Sequence, residues 1–283
     1  MKNQKNQTKN SLLLLTIVAL VAILLSSCNR ECKDLTSKEL SISGPIQGVI
    51  IDGPWEVNIA QDSTTNSAVI EYCSSREGKI TAELLHGGYL HLKVRGSYPF
   101  KVLRATINAT SLEKIEASGA VDMRTSGYFC GLNYIALSGA STLNGLLGEG
   151  YSITLAMSGA STVKGFTFTG NSFNANLSGA SDAKFSSENL EYCTVDCSGA
   201  SKLAGSGYAA KTSFTGSGAS DIETLSLQSE NLDIDLSGAS TATVWVNNTI
   251  KGRLDGASTL KYKGTKDVGG VTISGGSKLI CLD

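Results

Sequence analysis

The sequence is poor in proline, histidine and charge. It holds three prolines and two histidines in 283 residues, and charged side chains make up 17%. The 24 basic and 25 acidic residues nearly cancel, which argues against binding to nucleic acid through a basic surface. The pattern shows no long helical period. Gly, Ser, Thr and Ala dominate with short apolar alternations, a mix typical of an all-β chain with tight turns.

The N-terminus has the pattern of an export signal. Three lysines within the first nine residues precede an apolar run over 12–25, and Leu-Ser-Ser-Cys follows, ending at Cys28. This run resembles the lipobox of bacterial lipoproteins, in which the cysteine becomes the first mature residue and carries the lipid. An ordinary cleaved signal peptide and an uncleaved anchor are the alternatives, but the run is short for a bilayer span. The pattern predicts a signal peptide over 1–27, lipid attachment at Cys28 and a polar tether over 28–40.

A Ser-Gly-Ala motif recurs nine times at intervals of 18 to 20 residues. The serine before the glycine is present in eight copies, and the alanine after it is also present in eight. So tight a period predicts a solenoid, in which each repeat stacks on the next to bury a shared core. The central glycines are Gly119, Gly139, Gly159, Gly179, Gly199, Gly218, Gly238, Gly256 and Gly275.

The columns of the repeat predict strands. Residues two and four before each glycine are mostly apolar and the residue between them is mostly polar, so one face of a strand is buried. Apolar residues resume four positions after the glycine. We interpret Ser-Gly-Ala-Ser as a corner between two strands, with glycine in a conformation closed to other residues and alanine on the tight inside of the bend. Cys197 falls in a column of Leu and Met and is predicted to be a packed core residue.

The segment over 41–117 is less regular and is predicted to cap the N-terminal end of the stack. Gly87-Gly88 has the pattern of a hairpin turn. Short strands are predicted over 48–59, 68–72, 79–85, 89–94 and 102–108.

Candidate chemistry is sparse. His86 and His91 are interpreted as surface residues, and no metal-ligand spacing occurs among the cysteines, which leaves any disulfide pairing open. Asp122, Asp182 and Asp221 share a column with threonines and with Lys202 and Lys278. This column invites comparison with calcium-dependent polysaccharide lyases, but a solvated face of mixed charge is the simpler interpretation.

Aromatic side chains are a second candidate, as a platform on which sugars stack. Their offsets from the repeat glycines differ, so we expect them not to share one column. The candidates are Trp55, Trp245, Tyr128, Tyr134, Tyr151, Tyr208 and Tyr262.

Three segments carry a family resemblance: IIDGPWEVNI at 50–59, GYLHL at 88–92 and LEKIEASGA at 112–120. Together with the later Ser-Gly-Ala-Ser copies they resemble the DUF2807 family of putative auto-transporter adhesins with a head GIN domain. The resemblance covers about 41–283. It implies an exported β-helical protein, often a lipoprotein of Gram-negative bacteria, and it brings no catalytic residues.

We therefore predict an all-β, single-stranded parallel β-helix, right-handed, with about 20 residues per coil. It forms one domain over 41–283, irregular over 41–117 and regular over 118–283. The predicted function is a non-enzymatic adhesin or binding module of the cell envelope, without catalytic residues, metal or cofactor. Its lipid anchors it to the outer membrane, facing the periplasm or the cell surface, and its partner is a glycan or surface protein. A lyase-like enzyme and a periplasmic scaffold or signalling component are the alternatives.

Overall fold

The computed structural model describes residue 32 and residues 34–96, 102–265 and 267–282. The predicted signal peptide and Cys28 lie outside the described residues. Within the described ranges the chain forms 23 β-strands and one 3-10 helix, Ser74–Lys79. The strands build a β-solenoid of about eight turns with about 20 residues per turn, which confirms the predicted fold class. The hand of the coil stays a prediction. No helix in the described part of the chain has the length and hydropathy to span a bilayer.

The strands follow one another almost without interruption. In chain order they are β1 Leu35–Glu39, β2 Gly48–Gly53, β3 Glu56–Gln61, β4 Ser67–Cys73, β5 Ile80–Leu85, β6 Tyr89–Val94, β7 Leu103–Ala109, β8 Lys114–Gly119, β9 Asp122–Ser126, β10 Tyr128–Cys130, β11 Tyr134–Leu137, β12 Thr142–Asn144, β13 Leu147–Glu149, β14 Ser152–Met157, β15 Thr162–Thr169, β16 Ser172–Leu177, β17 Asp182–Cys197, β18 Lys202–Gly216, β19 Asp221–Leu236, β20 Thr241–Leu254, β21 Thr259–Gly264, β22 Asp267–Ile273 and β23 Lys278–Cys281.

From β8 onward each coil pairs in parallel with the next, and the register follows the repeat. Leu155 of β14 pairs with Ala175 of β16, which pairs with Val195 of β17. These predicted apolar columns point inward and are buried, as are Leu143 and Val163 after the corner. We call the face formed by the segments just before the corner the pre-corner sheet, and the face formed by the segments just after it the post-corner sheet. Each of the long strands β17 to β20 contributes to both faces. The alternation of the sequence therefore fixes which side chains fill the core.

The repeat corner is built around a stacked glycine. From Gly139 to Gly275 the repeat glycines have φ between +65° and +75°, a region open mainly to glycine. The predicted place of the alanine is wrong, because the alanines after these glycines are exposed. The residue on the inside is the second serine of Ser-Gly-Ala-Ser, as at Ser141 and Ser181, which are at most 1% exposed. In four copies its hydroxyl donates to the carbonyl oxygen three residues earlier, for example from Ser181 to Ser178 at 2.9 Å; the others are Ser141, Ser161 and Ser240. This local bond satisfies the buried hydroxyl.

The N-terminal strands also form coils, but their order in the stack differs from their order in the sequence. Strand β2 lies between β6 and β8, and β3 lies between β7 and β9, with all four pairings parallel. The predicted strand over 48–59 is divided at Pro54 by a corner, where Trp55 is 1% exposed. The predicted turn at Gly87-Gly88 is confirmed, with both residues at positive φ between antiparallel β5 and β6.

Antiparallel strands cover the N-terminal end of the stack. Strand β5 pairs with β6, while β4 pairs with β7 and carries β1 on its other edge. The predicted tether is therefore wrong over 35–39, which form β1. Its side chains are mostly exposed, so no buried face marks it as a strand in the sequence. A disulfide from Cys32 to Cys73 of β4 ties the start of β1 to the cap.

The last coil is more exposed than the others. Strand β22 pairs with β20 and β23 pairs with β21, and within the described residues no strand pairs beyond them. Ile273, in a predicted core column, is consequently 47% exposed.

Candidate ligand-binding surfaces

The predicted column of aspartate, threonine and lysine is continuous on the post-corner sheet. Register places Asp122, Asp182, Lys202 and Asp221 in one line along the solenoid, with threonines in the intervening coils. Lys202 Nζ lies 3.3 Å from Asp221 Oδ2 and 2.9 Å from Glu223 Oε1. The hydrogen bond with Glu223 raises the pKa of Lys202, so this amine is held in its charged form rather than poised as a base.

At the N-terminal end of that sheet the charges also neutralise one another. Arg104 Nε lies 3.0 Å from Glu56 Oε2, and Arg124 reaches both Glu56 and Asp122, at 3.3 and 2.8 Å. The bond from Arg104 is the main cause that lowers the pKa of Glu56. Within the described residues, no three His, Cys, Asp or Glu side chains cluster closely enough to hold a metal ion. The column has the arrangement of a solvated face of paired charges.

The aromatic candidates separate by burial. Trp55 and Tyr262 are 1% and 9% exposed, so they are core residues and offer no ring to a sugar. Trp55 donates its indole N–H to the carbonyl oxygen of Asp52 at 3.2 Å, which satisfies its polar atom inside. Tyr134 stands with Tyr89 on the pre-corner sheet, and the Lys114 amine lies between them, 5.3 and 5.8 Å from the ring centres.

Two aromatic candidates do share a column, contrary to the expectation from the sequence. Tyr208 pairs with Gln228, which pairs with Trp245. Coils of unequal length and bulges, such as the register shift after Thr224, move these side chains into line although their offsets from the glycines differ. The Lys263 amine lies 4.5 Å from the Trp245 ring centre, so one face of the indole is already covered.

Among the described residues, the fold does not bring the histidines and the free cysteines together into one site. His86 is exposed and His91 half-buried, both near the cap. Cys193 and Cys197 are buried and unbridged, as predicted for Cys197, and burial raises their thiol pKa values to about 12 and about 11. Neither thiol is set up to react.

Two clefts run along the outer surface of the pre-corner sheet. The early cleft has a volume of about 470 Å³ and a floor of small side chains, Ala136 and Ala156. Its side along the corner is formed by serines such as Ser138 and Ser158, and Ile50 and Asn176 stand at its ends, with Glu116 next to Ile50. It presents few polar groups other than serine hydroxyls.

The late cleft lies on β17 to β20 and has a volume of about 450 Å³. Its walls are two parallel columns of outward side chains, which lie seven and five residues before the repeat glycines of these coils. The repeat therefore marks both columns, although they match no catalytic motif. One wall consists of Tyr192, Lys211, Asn231 and Thr249, and the other of Thr194, Ser213, Asp233 and Lys251.

Polar contacts set the shape of the late cleft. The Lys211 amine lies 5.1 Å from the ring centre of Tyr192 and 3.5 Å from its hydroxyl oxygen. Lys251 Nζ lies 3.2 Å from Asp233 Oδ2 within the other wall. The Thr249 hydroxyl donates to Asp267 Oδ2 at 3.1 Å, at the end of the cleft nearest the last coil.

Comparison with known proteins assigns the family. The model of DUF2807, described as putative auto-transporter adhesin, head GIN domain, matches residues 46–265. The chain belongs to the DUF2807 family. A putative adhesin from Parabacteroides merdae has the same fold, with 16% identity and a TM-score of 0.63 over 89% of this chain and 97% of that one. A putative lipid binding protein from Parabacteroides distasonis aligns at 16% identity and a TM-score of 0.57, over 88% and 94%. No curated protein matches the sequence.

The DUF2807 match has a structural boundary at each end. It begins before β2 and ends after β21, so it includes both clefts. Strand β1, Cys32 and the last coil lie outside it.

Proposed function

We propose that this DUF2807 protein is a non-enzymatic adhesin or binding module of the cell envelope. The observation that carries the proposal is the ordered outer surface of the solenoid. Outward side chains stay in register from coil to coil and line clefts on β17 to β20 and on earlier coils. The family description and the names of similar structures support the same role.

The proposal includes a lipid anchor at Cys28 in the outer membrane. Cys28 precedes Cys32 by four residues, which span at most ~14 Å. Because Cys32 is bonded to Cys73 of the cap, a lipid on Cys28 holds the capped end of the solenoid next to the bilayer. The later coils, with the late cleft, then point away from the membrane toward a partner.

Adhesion is tested with beads that carry the purified protein. We expect such beads to be retained under flow on at least one of three surfaces: mucin, collagen or cultured epithelial cells. Beads that carry serum albumin give the background. Retention no greater than this background on all three surfaces would contradict an adhesin.

The anchor is tested in cells that incorporate an alkyne-labelled fatty acid. We expect label on the wild-type chain and none on Cys28→Ala, which should also appear in the soluble fraction. Protease treatment of intact cells then distinguishes the two faces of the outer membrane, since only a surface-facing solenoid is reached. Equal label on both chains would exclude attachment at Cys28.

A further inference from the structure

We propose that the late cleft binds a glycan segment of two to three pyranose units. The inference rests on the proposed binding function and names the site and the ligand class. It starts from the size of the cleft, about 450 Å³, which falls within the range of small-ligand sites, roughly 300–1,000 Å³.

The dimensions of the cleft follow from strand geometry. Its two walls are two residues apart along each strand, or ~7 Å, and it crosses four strands spaced ~4.8 Å apart, or ~14 Å in length. These spacings join backbone positions, so in a slot of that length a linear row of sugar rings would lie along the solenoid axis against the side chains of both walls. The slot is preformed, because a continuous ladder of backbone hydrogen bonds from β17 to β20 holds both walls.

The cleft has defined ends. In the preceding coils Asn174 Nδ2 donates to the hydroxyl oxygens of Ser152 and Ser172, at 3.3 and 3.4 Å, and so bridges the same two columns. In the next coil Tyr192 takes the place of Ser172 and Thr194 that of Asn174, so this bridge between the columns ends there. At the other end, Thr249 bonds to Asp267. This second bond lies within one wall, and the side chains that line the cleft belong to the four coils of β17 to β20.

The side chains suit a sugar better than a peptide. The Lys211 amine lies over the Tyr192 ring, yet this side chain is still 41% exposed, and the exposed part of the ring supplies an aromatic surface for the C–H groups of a pyranose. Asn231, Asp233 and Lys251 supply donors and acceptors for its hydroxyl groups. An added peptide strand would need an open sheet edge, whereas these strands pair on both sides. Asp233 offsets one of the two lysines, Lys251, so the lining carries a net charge of only about +1 and the cleft is not a strongly basic channel.

The proposal is tested by calorimetric titration of the purified protein with three linear trisaccharides. They are built from β-1,4-linked glucose, β-1,4-linked N-acetylglucosamine and α-1,4-linked galacturonate. We expect saturable binding of at least one. Tyr192→Ala and Asn231→Ala should each weaken that binding by about tenfold, the loss of one stacking or hydrogen-bonding contact.

Matched variants make the result specific to the cleft. Tyr192→Phe keeps the ring and should bind within about threefold of wild type, the value of one exposed hydroxyl. Tyr151→Ala removes a tyrosine that is 80% exposed outside the cleft and should leave binding unchanged. Circular dichroism confirms that each variant is folded. Absence of saturable binding to all three sugars, or wild-type affinity in both Tyr192→Ala and Asn231→Ala, overturns the proposal.

Failure here is distinct from failure of the adhesin proposal. If the beads adhere but no trisaccharide binds, the adhesin proposal stands and its contact surface lies outside the late cleft. Trisaccharide binding without bead adhesion would leave a glycan-binding module that is not an adhesin.

Discussion

The N-terminal part and the regular coils are held together by contacts of different reach. In the regular coils a strand pairs with the strand one repeat later, as Ser152 pairs with Ser172. At the N-terminal end Ser118 donates to Asp52 at 3.1 Å, across 66 residues of chain. The regular coils therefore resemble a chain of nearest neighbours, whereas the N-terminal part depends on distant segments meeting.

The same contrast appears at the corner. The inward position two residues after the corner glycine is Trp55 in the coil of β2 and β3 and Val121 in the next coil. From Ser141 to Ser258 it is a buried serine, and in Ser141, Ser161, Ser181 and Ser240 its hydroxyl donates to the backbone three residues earlier. The two regions reach a filled corner by different means: apolar volume in the first, and a small hydroxyl group with a hydrogen bond in the second.

The largest effect is expected where a repeat corner is blocked. A Cβ atom at Gly139 would lie 2.3 Å from the Gly119 carbonyl oxygen, at φ +71°. Backbone strain and the clash together should cost Gly139→Ala about 4 kcal/mol in the free energy of unfolding, measured in urea. Gly131, at φ +85°, has no atom within 4 Å of the same position, so Gly131→Ala should lose only about 1 kcal/mol. Equal losses of stability in the two variants would mean that the glycines of neighbouring corners are not in close contact.

The next effect is expected at the cap. Replacing both Cys32 and Cys73 with serine opens a loop of 41 residues and should cost about 3 kcal/mol. Hydrogen exchange should quicken in β1 and β4 and stay unchanged in β17 to β19. Cys130→Ser, which removes an exposed free thiol, should alter neither region. Faster exchange throughout the regular coils would show that the cap and the coils unfold as one unit.

A smaller effect separates two serines of the same column. Ser181 donates to Ser178, so Ser181→Ala should lose about 1 kcal/mol. The Ser220 hydroxyl is equally buried but has no hydrogen-bond partner among the described residues, and Ser220→Ala should be neutral or slightly more stable. Thermal unfolding of the two variants side by side makes the comparison. A matching loss in both would point to packing rather than hydrogen bonding as the role of this column.

The last prediction concerns reactivity rather than stability. Burial raises the pKa of Cys193 to about 12, so little thiolate forms near neutral pH. Iodoacetamide should modify the exposed Cys130 and Cys281 in the folded protein, and Cys193 and Cys197 only in urea. Peptide mass spectrometry reads each site. Modification of Cys193 without urea would indicate that the regular coils open locally.

The fold could be read from the sequence to the extent that the repeat specifies it. Offsets from the glycine assign each side chain to the core or the surface, as at Leu155 and Val195, because strand alternation has a period of two. The alternation of apolar and polar residues does not determine which strands pair with each other. The position of β2 between β6 and β8 could therefore not be predicted. Strand β1 lacks a buried face and gave no signal.

The candidate site was harder to foresee for a related reason. Register shifts put Tyr208 and Trp245 in one column despite different offsets. The late cleft depends on where Asn174 stops bridging two columns, which is a matter of side-chain distances. The repeat predicts which residues form the walls of the late cleft, but it does not predict that an open space lies between them.

The place of β2 and β3 in the stack has a consequence for biosynthesis. The chain leaves the ribosome N-terminus first, yet this coil has neighbours only after β6 to β9 have followed it. At usual elongation rates the sixty or so residues between them take roughly 3 to 12 seconds to appear. During that delay the inward side chains Val49, Ile51 and Val57 are uncovered, whereas each later coil meets its neighbour after a single repeat. We therefore expect a chaperone that holds the unfolded chain to matter most for residues 48–120.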